Sequence, residues 1–155
     1  MKTHVLIIST KFPITHDRSG EATGFEDKIL NKEKIHTIRA SYKHWEKRIK
    51  EVREGKAILS VRYWTGKPYG SKQAKVIDFD SESGIGVQKI GFNSGDPLQP
   101  VMLDDRYFKH INPFMVAEND GLDVNDFKSW FKKYSLLEYH QPKPMAIIHF
   151  TSFRY

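Results

Sequence analysis

The sequence predicts an α+β domain, a small mixed β-barrel of about six strands with about three helices packed against it. Three observations lead to that class. Short β-branched and aromatic runs recur along the chain, at 4–10, 34–39, 56–64, 74–79, 85–92, 99–103 and 145–150. Only three stretches carry apolar residues at helical spacing. The 155 residues, 39% hydrophobic and 13% aromatic, can fill one core, so a single domain over 1–155 is expected.

Each element has a local reason. The run from His4 to Thr10 reads as a buried strand, and the turn formers and polar groups at 11–23 as a loop. Thr23 or Gly24 starts a short helix that turns Phe25, Ile29 and Leu30 inward. A strand follows at 34–39. Ser41 is placed to cap a helix over 42–53, whose Tyr42, Trp45, Ile49 and Val52 form one stripe at spacings of 3, 4 and 3. Lys43, Lys47, Arg48 and Lys50 fall largely off that stripe, and Gly55 is its stop signal. Residues 56–64 alternate as a strand does. The stretch Gly66-Lys67-Pro68-Tyr69-Gly70-Ser71-Lys72 is a basic turn and lacks the spacing of a phosphate-binding P-loop. Asp123 caps a helix containing Val124, Phe127, Trp130 and Phe131, with Leu136 and Leu137 beyond. Pro142 and Pro144 then mark a break before the final strand at 145–150.

Charge is concentrated rather than spread. The chain is +6 in total, yet residues 32–75 alone hold 13 basic and 4 acidic residues, a net of +9. A basic block of this kind attracts phosphate backbones, although a solvated lysine-rich surface has the same composition. With no cysteine, disulfides, cysteine-ligated zinc, iron–sulfur clusters and thiol catalysis are excluded. The seven histidines, at 4, 16, 36, 44, 110, 140 and 149, show no metal-binding spacing, so no metal and no cofactor are expected. The longest apolar run near the N-terminus is Val5 to Ile8, too short for a signal peptide, and nothing approaches a membrane span. The expectation is a cytoplasmic protein without a membrane partner.

One constellation suggests chemistry. Phe25, Asp27, Ile29 and Leu30 make an F-x-D-x-I-L helix, followed by Lys34, Thr37 and Arg39 as K-x-x-T-I-R. Gly55 and a strand come next. Later Ala117-Glu118-Asn119-Asp120 runs into the acid-capped helix, and an apolar strand closes the chain. This arrangement resembles the ASCH domain of the PUA-like superfamily, in particular the small bacterial ASCH amidohydrolases that deacetylate acetylcytidine. The match covers about half the chain in scattered blocks. The resemblance implies a PUA-like barrel, and RNA or a modified nucleoside as partner. It also implies a catalytic set of lysine, threonine and acid, which falls here on Lys34, Thr37 and Asp120. In such a set the threonine hydroxyl needs a base to become nucleophilic, and a lysine serves as that base only when its pKa is lowered. The acid orients the lysine or passes a proton to the leaving amine. Arg39 would anchor a phosphate or a carbonyl through its planar fork.

The chain departs from the family pattern at three places. Its acid is Asp120, one methylene shorter than the family's glutamate, with Glu118 two residues away as the rival. Lys32 stands where a turn glycine is usual. A basic helix and loop at about 41–75 are additional. Geometry adds a condition: Lys34 and Thr37 would point to opposite faces of a straight strand, and they converge only if Lys34 sits in the turn before it.

Several residues keep two readings. His36 is either packed in its strand or lines the cleft. Trp64 and Tyr69, beside Lys67 and Lys72, either pack on the fold or stack a base. Three function classes follow: an RNA- or modified-nucleoside-binding domain with a basic cleft; a metal-free amidohydrolase acting on an acylated cytidine; and a structural or protein-interaction module in which Lys34, Thr37 and Asp120 do not converge.

Overall fold

In the computed structural model, which describes residues 1–93, 96–107, 111–135 and 144–155, strand pairing divides the chain between two open sheets. The elements in chain order are β1 (Lys2–Ile7), α1 (Phe25–Leu30), β2 (His36–Arg39), α2 (Tyr42–Arg53), β3 (Ala57–Trp64), β4 (Gln73–Phe79), β5 (Gly86–Asn93), β6 (Asp96–Leu103), β7 (Arg106–Tyr107), α3 (Pro113–Asn119), α4 (Val124–Ser135) and β8 (Met145–His149). The first sheet has the order β1-β3-β4, with β1 parallel and β4 antiparallel to β3. The second has the order β2-β8-β5-β6-β7 and is antiparallel throughout.

The barrel expectation is therefore corrected. Eight strands lie in two unclosed sheets, and four helices rather than three accompany them among the described residues. The chain places β2 in the other sheet before returning to pair β3 with β1, so no continuous ladder runs round to close. Alternation within each strand is a local property that carries no information about which strand becomes its neighbour.

The helices follow their local signals. In α2 the stripe residues Trp45, Ile49 and Val52 are buried, each worth about 1.5–3 kcal/mol of burial. Gly55, at φ +71°, ends the helix: its N–H bonds to the Val52 carbonyl and the Lys56 N–H to that of Glu51. This is the Schellman pattern, in which glycine takes the left-handed residue without a Cβ penalty. Ser41 occupies the N-cap position as expected, but its backbone is left-handed and its side chain makes no capping bond. In α4 the Asp123 carboxylate accepts from the Asp126 N–H at 2.8 Å, an N-cap contact. Leu136, Leu137, Pro142, His110 and His140 lie outside the described residues.

The unexpected helix is α3. Asn112 caps it by accepting from the Phe114 N–H at 3.0 Å, and Pro113 takes the first turn, where no N–H is needed. Only Val116 and Ala117 of its seven residues are buried, too short a stripe to be seen as periodicity.

The register of the second sheet decides which side chains can meet. His36 lies opposite His149, which lies opposite Gly86; Thr37 lies opposite Ile148, which lies opposite Val87. His36, Ile38, His149, Ile147 and Gln88 thus share one face, and Thr37, Arg39, Ile148 and Ala146 the other. The Thr37 face turns to α2 and the first sheet. Arg39 Nη2 donates to the Ile7 carbonyl at 2.7 Å, and Lys89 Nζ lies 4.9 Å from the Tyr42 ring centre. The His36 face is covered by α4, whose Phe127 and Phe131 rings pack on Phe92, and by the tail that follows β8. The buried apolar side chains of both sheets, Met102 apart, belong to one core cluster, bridged by Phe79 stacked on Phe150 at 5.3 Å.

Candidate functional site

The site is built where α3 stops. Gly121, at φ +78°, gives its N–H to the Glu118 carbonyl, and the Leu122 N–H bonds to that of Ala117, a second Schellman stop. The chain reverses there and turns the carbonyls at the end of α3 toward the start of β2. Three donors meet them: the Ile35 N–H bonds to the Asn119 carbonyl at 2.9 Å, Lys34 Nζ to that of Asp120 at 2.5 Å, and Lys28 Nζ to that of Gly121 at 2.8 Å. Cations at a helix C-terminus complement its dipole, which explains why two lysines gather here.

Lys34 lies in the turn before β2 and ends on the same side as His36. Its Nζ also reaches Asp120 Oδ1 at 3.0 Å and stands 4.2 Å from the Phe25 ring centre, so two of its three protons are placed on oxygens and the ammonium covers an aromatic face. Both ends of this ion pair are buried, with side chains 1% and 5% exposed. Burial pulls Lys34 down from 10.5 to about 8; Arg39 and Lys28 add to that, and Asp120 opposes it. Burial alone would raise the Asp120 carboxyl, but Lys34 and His36 outweigh it and hold the group below its ordinary value.

His36 extends the network. Its Nδ1 lies 3.4 Å from Asp120 Oδ1, within ion-pair reach but off hydrogen-bond geometry. Its Nε2 is 2.6 Å from the Tyr155 hydroxyl, which also accepts from Asn119 Nδ2 at 3.0 Å. Burial pushes His36 toward the neutral form. The Tyr155 hydroxyl then has a proton to give Nε2, and the imidazole proton sits on Nδ1, facing the carboxylate. His149 is buried beside it, pushed down to about 3 by burial, with His36 and Arg154 adding to the effect. Its Nε2 pairs with Gln88 Oε1 at 2.9 Å.

Thus Lys34, His36 and Asp120 converge, and Thr37 does not join them. It is buried on the opposite face of β2, and no hydrogen bond links it to Lys34 or Asp120 among the described residues. Arg39 shares the Thr37 face, with its guanidinium on the Ile7 and Ile38 carbonyls. Glu118 is exposed, whereas Asp120 is buried. Sequence reasoning missed His149, Gln88, Asn119, Gly121 and Tyr155. Asn119-Asp120-Gly121 carries the signal of a helix stop; nothing local marks the others.

The remaining site residues form a separate surface between β3 and β4. The Thr65 N–H and hydroxyl both bond to the Lys72 carbonyl, the Gly66 N–H bonds to Ser71 Oγ, and the Ser71 hydroxyl donates to the Lys67 carbonyl. The Gly70 N–H also bonds to the Lys67 carbonyl. This closed hairpin end holds Tyr69 at 92% exposure, its ring centre 5.3 Å from that of Trp64. Lys67 and Lys72 flank it, exposed and in no ion pair with a described residue. The exposed Lys43, Lys47, Lys50 and Arg53 lie along α2.

Among the described residues, no group of three or more histidines, aspartates and glutamates is placed to hold a metal ion, and no helix is long and apolar enough to cross a membrane. Comparison with known proteins finds no matching family model, no matching curated protein and no matching solved structure. The ASCH and amidohydrolase identifications therefore have no match behind them, and the open sheets remove the barrel they imply.

Proposed function

We propose that this protein binds single-stranded RNA through the hairpin end at 65–72 and the basic face around it. The observation that carries this reading is Tyr69, which stands almost fully exposed against Trp64 and between Lys67 and Lys72 on a hydrogen-bonded turn. An aromatic ring held out in water between cations suits an unpaired base, which stacks on the ring while the lysines meet adjacent phosphates. The net of +9 in residues 32–75 supplies the long-range attraction. A cytoplasmic location accompanies this reading. The hydrolase reading is not carried forward, because its threonine lies on the far face of the sheet.

Fluorescence anisotropy with a short labelled oligouridylate tests it. Tyr69→Ala is expected to weaken binding by about 1–3 kcal/mol and leave the salt dependence intact. Replacing Lys67 and Lys72 with alanine is expected to flatten the slope of log K against log salt by about 0.7 for each phosphate no longer neutralised. An absence of binding at low salt, or equal affinity in Tyr69→Ala, overturns the proposal and leaves a solvated basic surface.

A further inference from the structure

Edge strands decide what a sheet can join. Among the described residues the edges are β1 and β4 in the first sheet and β2 and β7 in the second. Three of them are blunted in ways that keep natural sheets from pairing edge to edge. β2 and β7 span only four and two residues. In β4 the pairing register slips at Val76, and Lys75 and Asp78 bring charge to the strand. β1 has none of these devices. Its six residues pair with β3 in unbroken register and include no proline. Its Lys2 stands at the very start and is neutralised by Glu51 at 2.9 Å.

The ladder fixes which main-chain groups of β1 face outward. The Ile8 N–H donates to the Arg62 carbonyl at 2.8 Å, continuing the pairing of β1 with β3. In a parallel ladder alternate residues bond to the same neighbour, so Lys2, His4 and Leu6 turn their N–H and carbonyl to β3. Thr3, Val5 and Ile7 turn theirs away. Arg39 agrees with this: its Nη2 reaches the Ile7 carbonyl at 2.7 Å from outside the sheet, and its guanidinium closes the edge there. The N–H and carbonyl of Thr3 and of Val5 are left, without a hydrogen-bond partner among the described residues. The side chains of Thr3, Val5 and Ile7 share a face with Ile58, Ser60 and Arg62, opposite the buried face of His4 and Leu6.

We propose that this edge docks on the same edge of a second copy, antiparallel, about a two-fold axis at His4. Thr3 then lies opposite Val5 of the second copy, and Val5 opposite its Thr3. Each such pair exchanges two N–H···O bonds, so every open group of both edges is satisfied and Arg39 keeps its place. The charges suit a self-complementary contact. Lys2 falls opposite Leu6 of the second copy rather than a like charge. The two His4 side chains flank the axis on the buried face, each held on its own Glu51 at 2.7 Å. Residues 1–31 hold four basic and four acidic residues, so the stretch that carries β1 is neutral although the chain is +6. The product is one continuous sheet of six strands, three from each copy. So short a contact buries less than the roughly 1,200–2,000 Å² of a stable interface, so the dimer is weak and forms at high protein concentration.

Sedimentation equilibrium of the full chain tests this. The average mass is expected to rise from that of one chain toward that of two between about 10 µM and about 1 mM protein. Val5→Pro removes an outward N–H and no bond to β3, and so deletes two of the four bonds across the axis. It is expected to raise the dissociation constant about 10-fold or more. Val5→Lys puts a charge on the open face beside the axis and is expected to do the same, and it carries the test if Val5→Pro does not melt cooperatively. Because each copy is +6, added salt is expected to strengthen the dimer, the opposite of its effect on RNA binding. A mass that stays at one chain throughout, a dimer equally strong in both folded variants, or a dimer that weakens with salt overturns the proposal. The edge and the RNA hairpin fail separately: both Val5 variants should keep the oligouridylate affinity of the parent, and Tyr69→Ala should keep its dimer.

Discussion

Asp120→Asn tests the physics of the buried cluster most directly. The change removes one negative charge 3.0 Å from Lys34 Nζ and keeps nearly the same shape, including the backbone carbonyl that Lys34 also uses. At an effective dielectric constant of about 20, two unit charges at this distance attract by about 5 kcal/mol. Removing one member of a buried pair costs about 3–5 kcal/mol, because the remaining ion stays desolvated. For a chain of this length that lowers the melting temperature by roughly 6–20 °C near pH 7. The pH dependence has a definite sign. Lys34 titrates at about 8 in the fold against an ordinary 10.5. Between those values the unfolded chain binds more protons, so Lys34 adds stability as pH rises through that window. Without Asp120, the influence that raises the Lys34 pKa is lost and its value falls further. The ammonium then discharges at lower pH, so the variant gains stability before the parent does: the deficit of Asp120→Asn narrows as pH rises toward 8 and stays constant from 8 to 10.5, where Lys34 is neutral in both folded proteins. Thermal melts of both proteins near neutrality and within that window measure this. A deficit under about 1 kcal/mol near pH 7, or one that widens as pH rises toward 8 or keeps changing between 8 and 10.5, refutes the reasoning.

Other perturbations read other parts of the fold. Gly121→Ala forces a side chain onto φ +78° and puts its Cβ 3.0 Å from that of Lys34, so a loss of about 1–3 kcal/mol is expected in denaturant melts. His16 is buried, with Nε2 on the Asp126 carbonyl, Nδ1 accepting from the Arg18 N–H and its ring stacked on Phe12 at 4.3 Å. His16→Ala should free the loop over 11–23 from α4, read as faster tryptic cleavage after Lys11 or Arg18 and a loss of about 2–3 kcal/mol. Thr37→Val conserves volume on the face away from Asp120, so oligouridylate binding should be unchanged. A several-fold loss would bring Thr37 back into the site.

The comparison of sequence with structure divides along the range of the forces involved. Tyr42–Arg53 is legible because a helix is written within its own span: a stripe at spacings of 3, 4 and 3 and a glycine that can take φ +71°. α3 is not, because seven residues with two buried side chains leave no period to detect. The lysine before β2 and the acid before α4 can be singled out from the sequence. Their contact cannot, because it spans 86 residues and depends on how the end of α3 docks on β2. Thr37 shows the same limit from the other side. Strand alternation already sets it opposite Lys34, and only three dimensions show that the turn before β2 leaves Lys34 on the His36 face rather than swinging it to Thr37.

The amino-acid sequence by itself determined most of the strand segments, three of the helices, the absence of any thiol chemistry and the placement of a +9 block over residues 32–75. These follow from steric periodicity, turn chemistry and charge, all of which act over a few residues. Tertiary structure alone decided that the strands form two open sheets, that Lys34, His36 and Asp120 share one buried cluster, and that Tyr155 closes over it. Strand partners, ion pairs and a docked tail are set by which distant surfaces bury best against each other. No local pattern encodes that choice.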